Sequence, residues 1–260
     1  MDSRADAVAP LAPVTATLRA MFGTADLGSL PGELIVADEA DWFPATDLIS
    51  GVRLPELLDA AARQWGASPH AAATLAWKSY TYWLALPTVL GWASARRVPL
   101  VRPEEVLVRL GGPGPLLSLG LRRSITVAVL PSDPLALAGR PDVRVVADER
   151  ALLAALRTAM LDEHLTPLLD AIHARVRVGA RTLLGSVASG VAYGVLRAAD
   201  ALPGSAVASV DALLDALDVA DLIELVPGPN GEPTVQRKTC CLAFTLPRPK
   251  VCSGCCLRQD

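Results

Sequence analysis

Apolar residues recur every three or four positions over much of this chain, the spacing of helices that bury one face and leave the other to water. The pattern is clear at 15–22 and at Leu54–Trp65, where Pro55 suits a first helical turn. Positions 70–90 predict a long helix, with Ser68 as its N-cap, Pro69 at the first helical position and Pro87 as a kink or an end. Helical spacing returns at 148–177, 180–199 and 210–217, broken by Gly179 and by Leu202-Pro203-Gly204.

The middle of the chain has a different texture. Short, partly β-branched runs at 105–110, 124–130 and 142–146 are separated by Gly-Gly-Pro-Gly, Pro-Ser-Asp-Pro and Gly-Arg-Pro. Such punctuation predicts a small antiparallel sheet with tight turns. The stretch from Pro227 to Pro233, rich in Pro and Gly, is a linker or the turn of a hairpin. The expected fold class is therefore α+β, predominantly helical, with a small antiparallel sheet and a C-terminal cysteine segment. The expected division is a body at 1–230 and a cysteine-bearing segment at 231–260.

Composition narrows the possibilities. Of 260 residues, 52% are hydrophobic and 20% charged, enough for a sizeable core and too apolar for general disorder. A net charge of -3 offers no electrostatic case for binding nucleic acid, and no RRM, KH or helix-turn-helix pattern is present. The first residues lack the basic stretch and apolar run of a signal peptide. The most apolar segment, 183–196, is shorter than the ~20 residues that span a bilayer. It lies between Arg181 and Arg197 and carries Gly185, Gly190 and Gly194, so a buried helix is expected and no transmembrane segment. A cytoplasmic location follows as an expectation, and there thiols stay reduced.

All five cysteines lie at or beyond position 240: Cys240, Cys241, Cys252, Cys255 and Cys256. Four of them spell C-C-x10-C-x2-C, and in a reducing compartment a thiol cluster points to metal before disulfide. Four thiolates are the usual ligands of a zinc ion or an iron–sulfur cluster, and spacing alone does not decide between them. On a regular strand Cys240 and Cys241 would face opposite sides, so the chain must turn there to aim both at one centre. The ten residues that follow, with Pro247 and Pro249, allow a returning loop, and Gly254 allows a tight turn between Cys252 and Cys255. Arg237, Lys238, Arg248, Lys250 and Arg258 surround the thiols in sequence. They either offset the negative charge of a thiolate-bound centre or are solvated.

Other residues carry weaker signals. Trp77, Tyr80, Tyr82, Trp83 and Trp92 concentrate on or near the long helix, where they line a ligand pocket or fill the core. Arg175, Arg177 and Arg181 could contact an anionic ligand, or form a solvated face. His70, His164 and His173 are too dispersed for a metal site and are expected at the surface or at helix caps. Asp162 and Glu163 have no nucleophile to serve. The 111–114 stretch lacks the lysine of a P-loop and the G-x-G-x-x-G pattern, so neither nicotinamide nor flavin is expected.

The C-C-x10-C-x2-C tail resembles that of the FhuF-type ferric siderophore reductases. The Lys-Ser-Tyr-Thr-Tyr-Trp run at 78–83 and the segments at 164–168 and 177–189 are similar to that family's helical regions. The resemblance implies a [2Fe–2S] cluster held by Cys240, Cys241, Cys252 and Cys255. It implies an oxidoreductase that delivers one electron to Fe(III) in a ferric siderophore, hydroxamate-type or similar, so that Fe(II) leaves its oxygen ligands. It also implies a separate electron donor, such as a ferredoxin or a flavoprotein reductase. Cys256 falls outside the motif, either a spare thiol or a competitor for the place of Cys255. The alternatives are a zinc-stabilised, non-enzymatic siderophore-binding or interaction protein, and a cluster-bearing sensor, for which the chain shows no DNA-binding element.

Overall fold

The computed structural model describes residues 9–24, 27–111, 114–252 and 254–257. The opening residues, the centre of the 111–114 stretch, Ser253 and Arg258 lie outside these. The chain begins with α1 (Ala12–Phe22), then β1 (Phe43–Pro44), α2 (Thr46–Ile49), α3 (Leu54–Trp65) and the long α4 (Pro69–Ala95). Next come β2 (Arg97–Pro99), β3 (Val106–Leu110), β4 (Leu117–Leu121), β5 (Val127–Val129) and β6 (Val143–Val145). Then follow α5 (Glu149–Arg157), a π-helical stretch (Thr158–Leu165), α6 (Thr166–Val176), α7 (Ala180–Arg197) and α8 (Ala206–Leu217). The hairpin of β7 (Ile223–Pro227) and β8 (Pro233–Arg237) leads into the cysteine segment.

This is the α+β, mostly helical fold that the patterning predicts. The sheet is divided into three small ones: antiparallel β1-β3-β4, β2-β5-β6 with β5 and β6 parallel, and the antiparallel β7-β8 pair. The stretch at 227–233 is the turn of that last hairpin, so position 230 falls at its tip. Among the described residues no helix is long and apolar enough to cross a membrane.

Helix α4 starts as its sequence dictates, with the Ser68 side chain accepting from the Ala71 N–H at 3.4 Å and Pro69 in the first turn. It does not end at Pro87. It runs on to Ala95 and closes at Arg96 in the left-handed conformation, φ 54°. Pro87 removes one main-chain donor, but Leu84, Leu86, Val89 and Leu90 are all buried around it, and that packing holds the helix together. The 183–196 segment is the buried helix expected, packed along α4. Gly190 lies 3.5 Å from Tyr82 Cα as measured from where a Cβ would stand, and a Cβ at Gly194 would press on Leu86. The Trp77 indole donates to the Leu183 carbonyl at 2.7 Å and pins the two helices.

One expectation is overturned here. His164 is not at the surface or at a cap but fully buried, on the π-helical stretch. Its Nδ1 lies 2.6 Å from the Val101 carbonyl and its Nε2 2.6 Å from the Tyr80 hydroxyl. Nδ1–H therefore donates to the carbonyl and Nε2 accepts from the phenol, so the neutral imidazole is fully satisfied inside. Burial pushes its pKa down to about 4, against the opposing pull of the Val101 carbonyl. His173, by contrast, sits in the last turn of α6 against the Val178 carbonyl at 2.7 Å, and His70 is exposed.

Candidate functional site

Strand β8 delivers the cysteine segment to the outer side of the α4–α7 pair. The Arg237 N–H donates to the Gly254 carbonyl at 2.9 Å and the Gln236 side chain to the Cys255 carbonyl at 3.1 Å, so both ends of the segment are tied to one strand. The Tyr193 hydroxyl on α7 caps the Val235 carbonyl at 3.2 Å. Gly254 fits here because a Cβ would overlap the Val235 carbonyl oxygen. Close approach, rather than a positive φ, is what requires glycine.

The chain turns at the adjacent cysteines as required. Leu242 takes a left-handed conformation, φ 60°, its N–H donates to Cys240 Sγ at 3.3 Å, and a 3-10 turn follows at Ala243–Thr245. The Cys241 carbonyl accepts from the Thr74 hydroxyl of α4 at 2.9 Å. Cys241 is buried with Ala71, Ala243 and Leu246 in an apolar cluster of its own. The loop then returns, with the Lys250 N–H on the Ala243 carbonyl at 3.0 Å and the Cys255 N–H on the Cys252 carbonyl at 3.1 Å.

The thiols act on one another's acidity in two pairs, Cys241 with Cys252 and Cys240 with Cys256. The Cys252 thiol is the main reason the Cys241 thiol is pulled down to about 5, aided by the Ala243 N–H, Lys78 and Arg237 against the cost of burial. Cys252 is correspondingly held well above the usual thiol range by Cys241 and by burial. Cys256 is raised chiefly by burial. Among the described residues no three Cys, His, Asp or Glu side chains converge closely enough to hold a metal ion in this conformation.

Beneath the thiols lies a buried cation. Arg237 is 2% exposed, donates from Nη2 to Ser186 at 3.1 Å and to Thr239 at 3.5 Å, and has no hydrogen-bond partner at Nε or Nη1 among the described residues. No carboxylate pairs with it there either. A buried guanidinium without an anion is costly, and its charge pulls down the pKa of the Cys241 and Cys256 thiols. Such a donor set, thiols with main-chain N–H groups and a buried cation, suits a negatively charged thiolate centre. Lys238, Arg248 and Lys250 are solvated, Lys238 lying 4.0 Å from Glu224.

A cleft of about 630 Å³ opens beside Cys241 and Cys252, walled by Trp65, Leu75 and Lys78 of the body and Lys250 of the loop. The same Trp65, Leu75 and Lys78 wall a second, more apolar pocket of about 290 Å³ that continues between α4 and α7, past Tyr82, Trp83 and Tyr193. The aromatic helix thus divides its residues. Trp77, Tyr80 and Trp92 are core, whereas Tyr82 and Trp83 line the pocket. Leu75, Lys78, Ser79, Tyr82 and Trp83 are three and four residues apart, which puts them on one helix face, a signal present in the sequence. Buried Arg237 carries no comparable signal. A separate cleft of about 480 Å³ near Asp38 and Arg109 shares none of these walls, and its Arg109 is stacked on Trp42 at 4.7 Å. Arg175, Arg177 and Arg181 are exposed, with Arg181 paired to Asp221 at 2.7 Å.

Fold and site together define an α+β protein with a thiol-rich corner docked on a helix pair. No family model and no curated protein matches the chain. Among solved structures it is similar to ATP-bound aerobactin synthetase IucA from a hypervirulent pathotype of Klebsiella pneumoniae, with a TM-score of 0.46 and 16% identity over 73% of this chain. The chain spans about a third of that protein, 33% of its length.

Proposed function

We propose that this protein binds a [2Fe–2S] cluster through Cys240, Cys241, Cys252 and Cys255 and reduces Fe(III) in ferric siderophores by one electron. The observation that carries this reading is a buried Arg237 with no carboxylate partner among the described residues, its charge acting on the Cys241 and Cys256 thiols. When bound, such a cluster accepts and donates single electrons. The chain's own residues do the rest. Arg237, with the Leu242 N–H at Cys240, stabilises negative charge on sulfur. Thr74 and Tyr193 fix the segment to the helices. The cleft walled by Lys78 leaves room for a ligand beside the sulfurs.

The substrate iron is released because hard, anionic oxygen donors hold Fe(III) far more strongly than Fe(II). No general base or covalent nucleophile is needed. Electrons come from a separate donor protein.

The test is an anaerobic absorption and EPR spectrum with iron, sulfide and zinc assayed on one sample. Visible bands that bleach with dithionite, a reduced-state EPR signal and equal iron and sulfide are expected. Serine in place of Cys240, Cys241 or Cys252 removes them, and serine at Cys256 leaves them. Colourless protein with stoichiometric zinc would sink the reductase and leave a zinc-stabilised binding protein.

A further inference from the structure

We infer that the outer surface of the cysteine segment is the docking face for the electron donor, and that this donor is an acidic one-electron carrier protein. The inference rests on the reductase reading for the partner's role, whereas the surface stands on its own residues.

Seven large hydrophobic side chains among the described residues are exposed, and three of them lie on this segment: Phe244, Val251 and Leu257. The other four, Val52, Leu137, Val145 and Val207, are scattered over separate parts of the chain, which is ordinary for a protein surface. The three on the segment surround the thiols. The Lys250 N–H donates to the Ala243 carbonyl at 3.0 Å, which sets the backbone of Phe244 and Val251 side by side. Val251 precedes Cys252 and Leu257 follows Cys256. Ala243 and Leu246 anchor the turn in their apolar cluster, so Phe244 between them is left facing water.

Charge completes the surface. From Pro233 to Leu257 the chain has four cations and no Asp or Glu, in a protein whose net charge is -3, so the segment is a positive island on an acidic body. The cations that pull on the Cys241, Cys252 and Cys256 thiols are Arg237, which is buried, and Lys78 of the body. Arg248 and Lys250 are exposed and form no ion pair among the described residues, so their charge is free for a partner. Exposed apolar side chains flanked by unpaired cations fit a carrier with an acidic rim, in an encounter of the small kind, below ~1,200 Å². A donor also has to dock near the thiols, because electron tunnelling weakens steeply with distance. An anionic lipid surface fits less well, since it takes a helix with a continuous apolar face. Here the exposed residues stand on a turn and its flanks, held to β8 by the Arg237 N–H on the Gly254 carbonyl at 2.9 Å.

Biolayer interferometry with the full chain immobilised tests this, the probe being an acidic plant-type [2Fe–2S] ferredoxin and the control a basic cytochrome c. The ferredoxin is expected to bind in preference to the cytochrome, its affinity falling about tenfold between ~50 mM and ~300 mM salt. Arg248→Glu with Lys250→Glu should weaken it at least about tenfold, and Arg175→Glu with Arg177→Glu at the end of α6 less than about twofold. Leu257→Ser, at a side chain 51% exposed and so with little cost to the fold, should weaken it at both salt concentrations. Equal losses from the two charge reversals, a cytochrome bound as tightly as the ferredoxin, or binding to phosphatidylserine vesicles and not to ferredoxin would overturn the surface. Iron and sulfide assayed on the same protein let the two proposals fail separately. Ferredoxin binding that depends on Arg248 and Lys250, by a chain devoid of both, refutes the reductase and leaves the surface standing. Iron and sulfide in place, with binding unmoved by that reversal, refutes the surface alone.

Discussion

The Thr74 hydroxyl donates to the Cys241 carbonyl at 2.9 Å, joining residues 167 positions apart. Because Thr74 also contacts the His70 and Ala71 carbonyls of its own helix, it is the carbonyl of Cys241 that has the most to lose. Thr74→Val keeps the shape and strands that buried acceptor, at a cost of about 1–3 kcal/mol. Urea unfolding should report the loss, and iron retention under a chelator should fall with it. Unchanged retention would mean that the segment is held by its other ties.

Arg237 makes a prediction of opposite sign in the two states. Without an anion, its buried guanidinium opposes folding, so Arg237→Met should leave the metal-free chain as stable as before or more so. With the thiolate centre loaded, the same change removes the compensating charge, and iron should be lost faster to a chelator. Urea midpoints with and without chelator, beside iron and sulfide per chain, give both signs. A variant destabilised equally in both states would make Arg237 a packing residue only.

Local chemistry made parts of this structure readable. Ser68-Pro69 marks the start of α4, the side-by-side Cys240 and Cys241 demand the turn at Leu242, and the Pro- and Gly-rich stretch after Pro227 turns the β7-β8 hairpin. What escaped depends on partners far along the chain. Leu117–Leu121, a Leu-Ser-Leu-Gly-Leu run with no β-branched residue, is a strand because β3 pairs with it throughout. His164 sits in an Asp-Glu-His run that resembles a solvated helix face, and only Tyr80 and Val101 make its burial tolerable. The split of the aromatic residues between core and pocket was present in their three- and four-residue spacing, but it takes α7 to show which face is which.

His164 also sets a dependence on pH. In the unfolded chain it titrates near 6.5, and in the folded one near 4, so between these values the unfolded state binds the extra proton. Its contribution is complete above pH 6.5 and is lost as pH falls toward 4. The loss amounts to about 3 kcal/mol. Urea unfolding of the wild type and of His164→Gln, near neutral pH and near pH 4, isolates it: the wild type should lose about 3 kcal/mol more than the variant. Parallel losses would place the acid sensitivity elsewhere.

Gly185 gives the sharpest steric test of how the cysteine segment is seated. It lies in the buried part of α7, and a Cβ there would collide with the Thr239 side chain, one residue before Cys240. Thr239 is itself buried, so it has little room to yield. Gly185→Ala should therefore cost about 1–3 kcal/mol by overpacking, despite alanine's better helix propensity. The displacement falls on the thiols, so iron retention should drop as well. Thr239→Ala clears the hydroxyl and methyl from that contact, and the double variant should recover part of both losses. Urea unfolding of all four proteins closes a double-mutant cycle. A coupling energy near zero would mean that α7 and the segment before Cys240 move independently, and that the thiols are positioned by strand β8 alone.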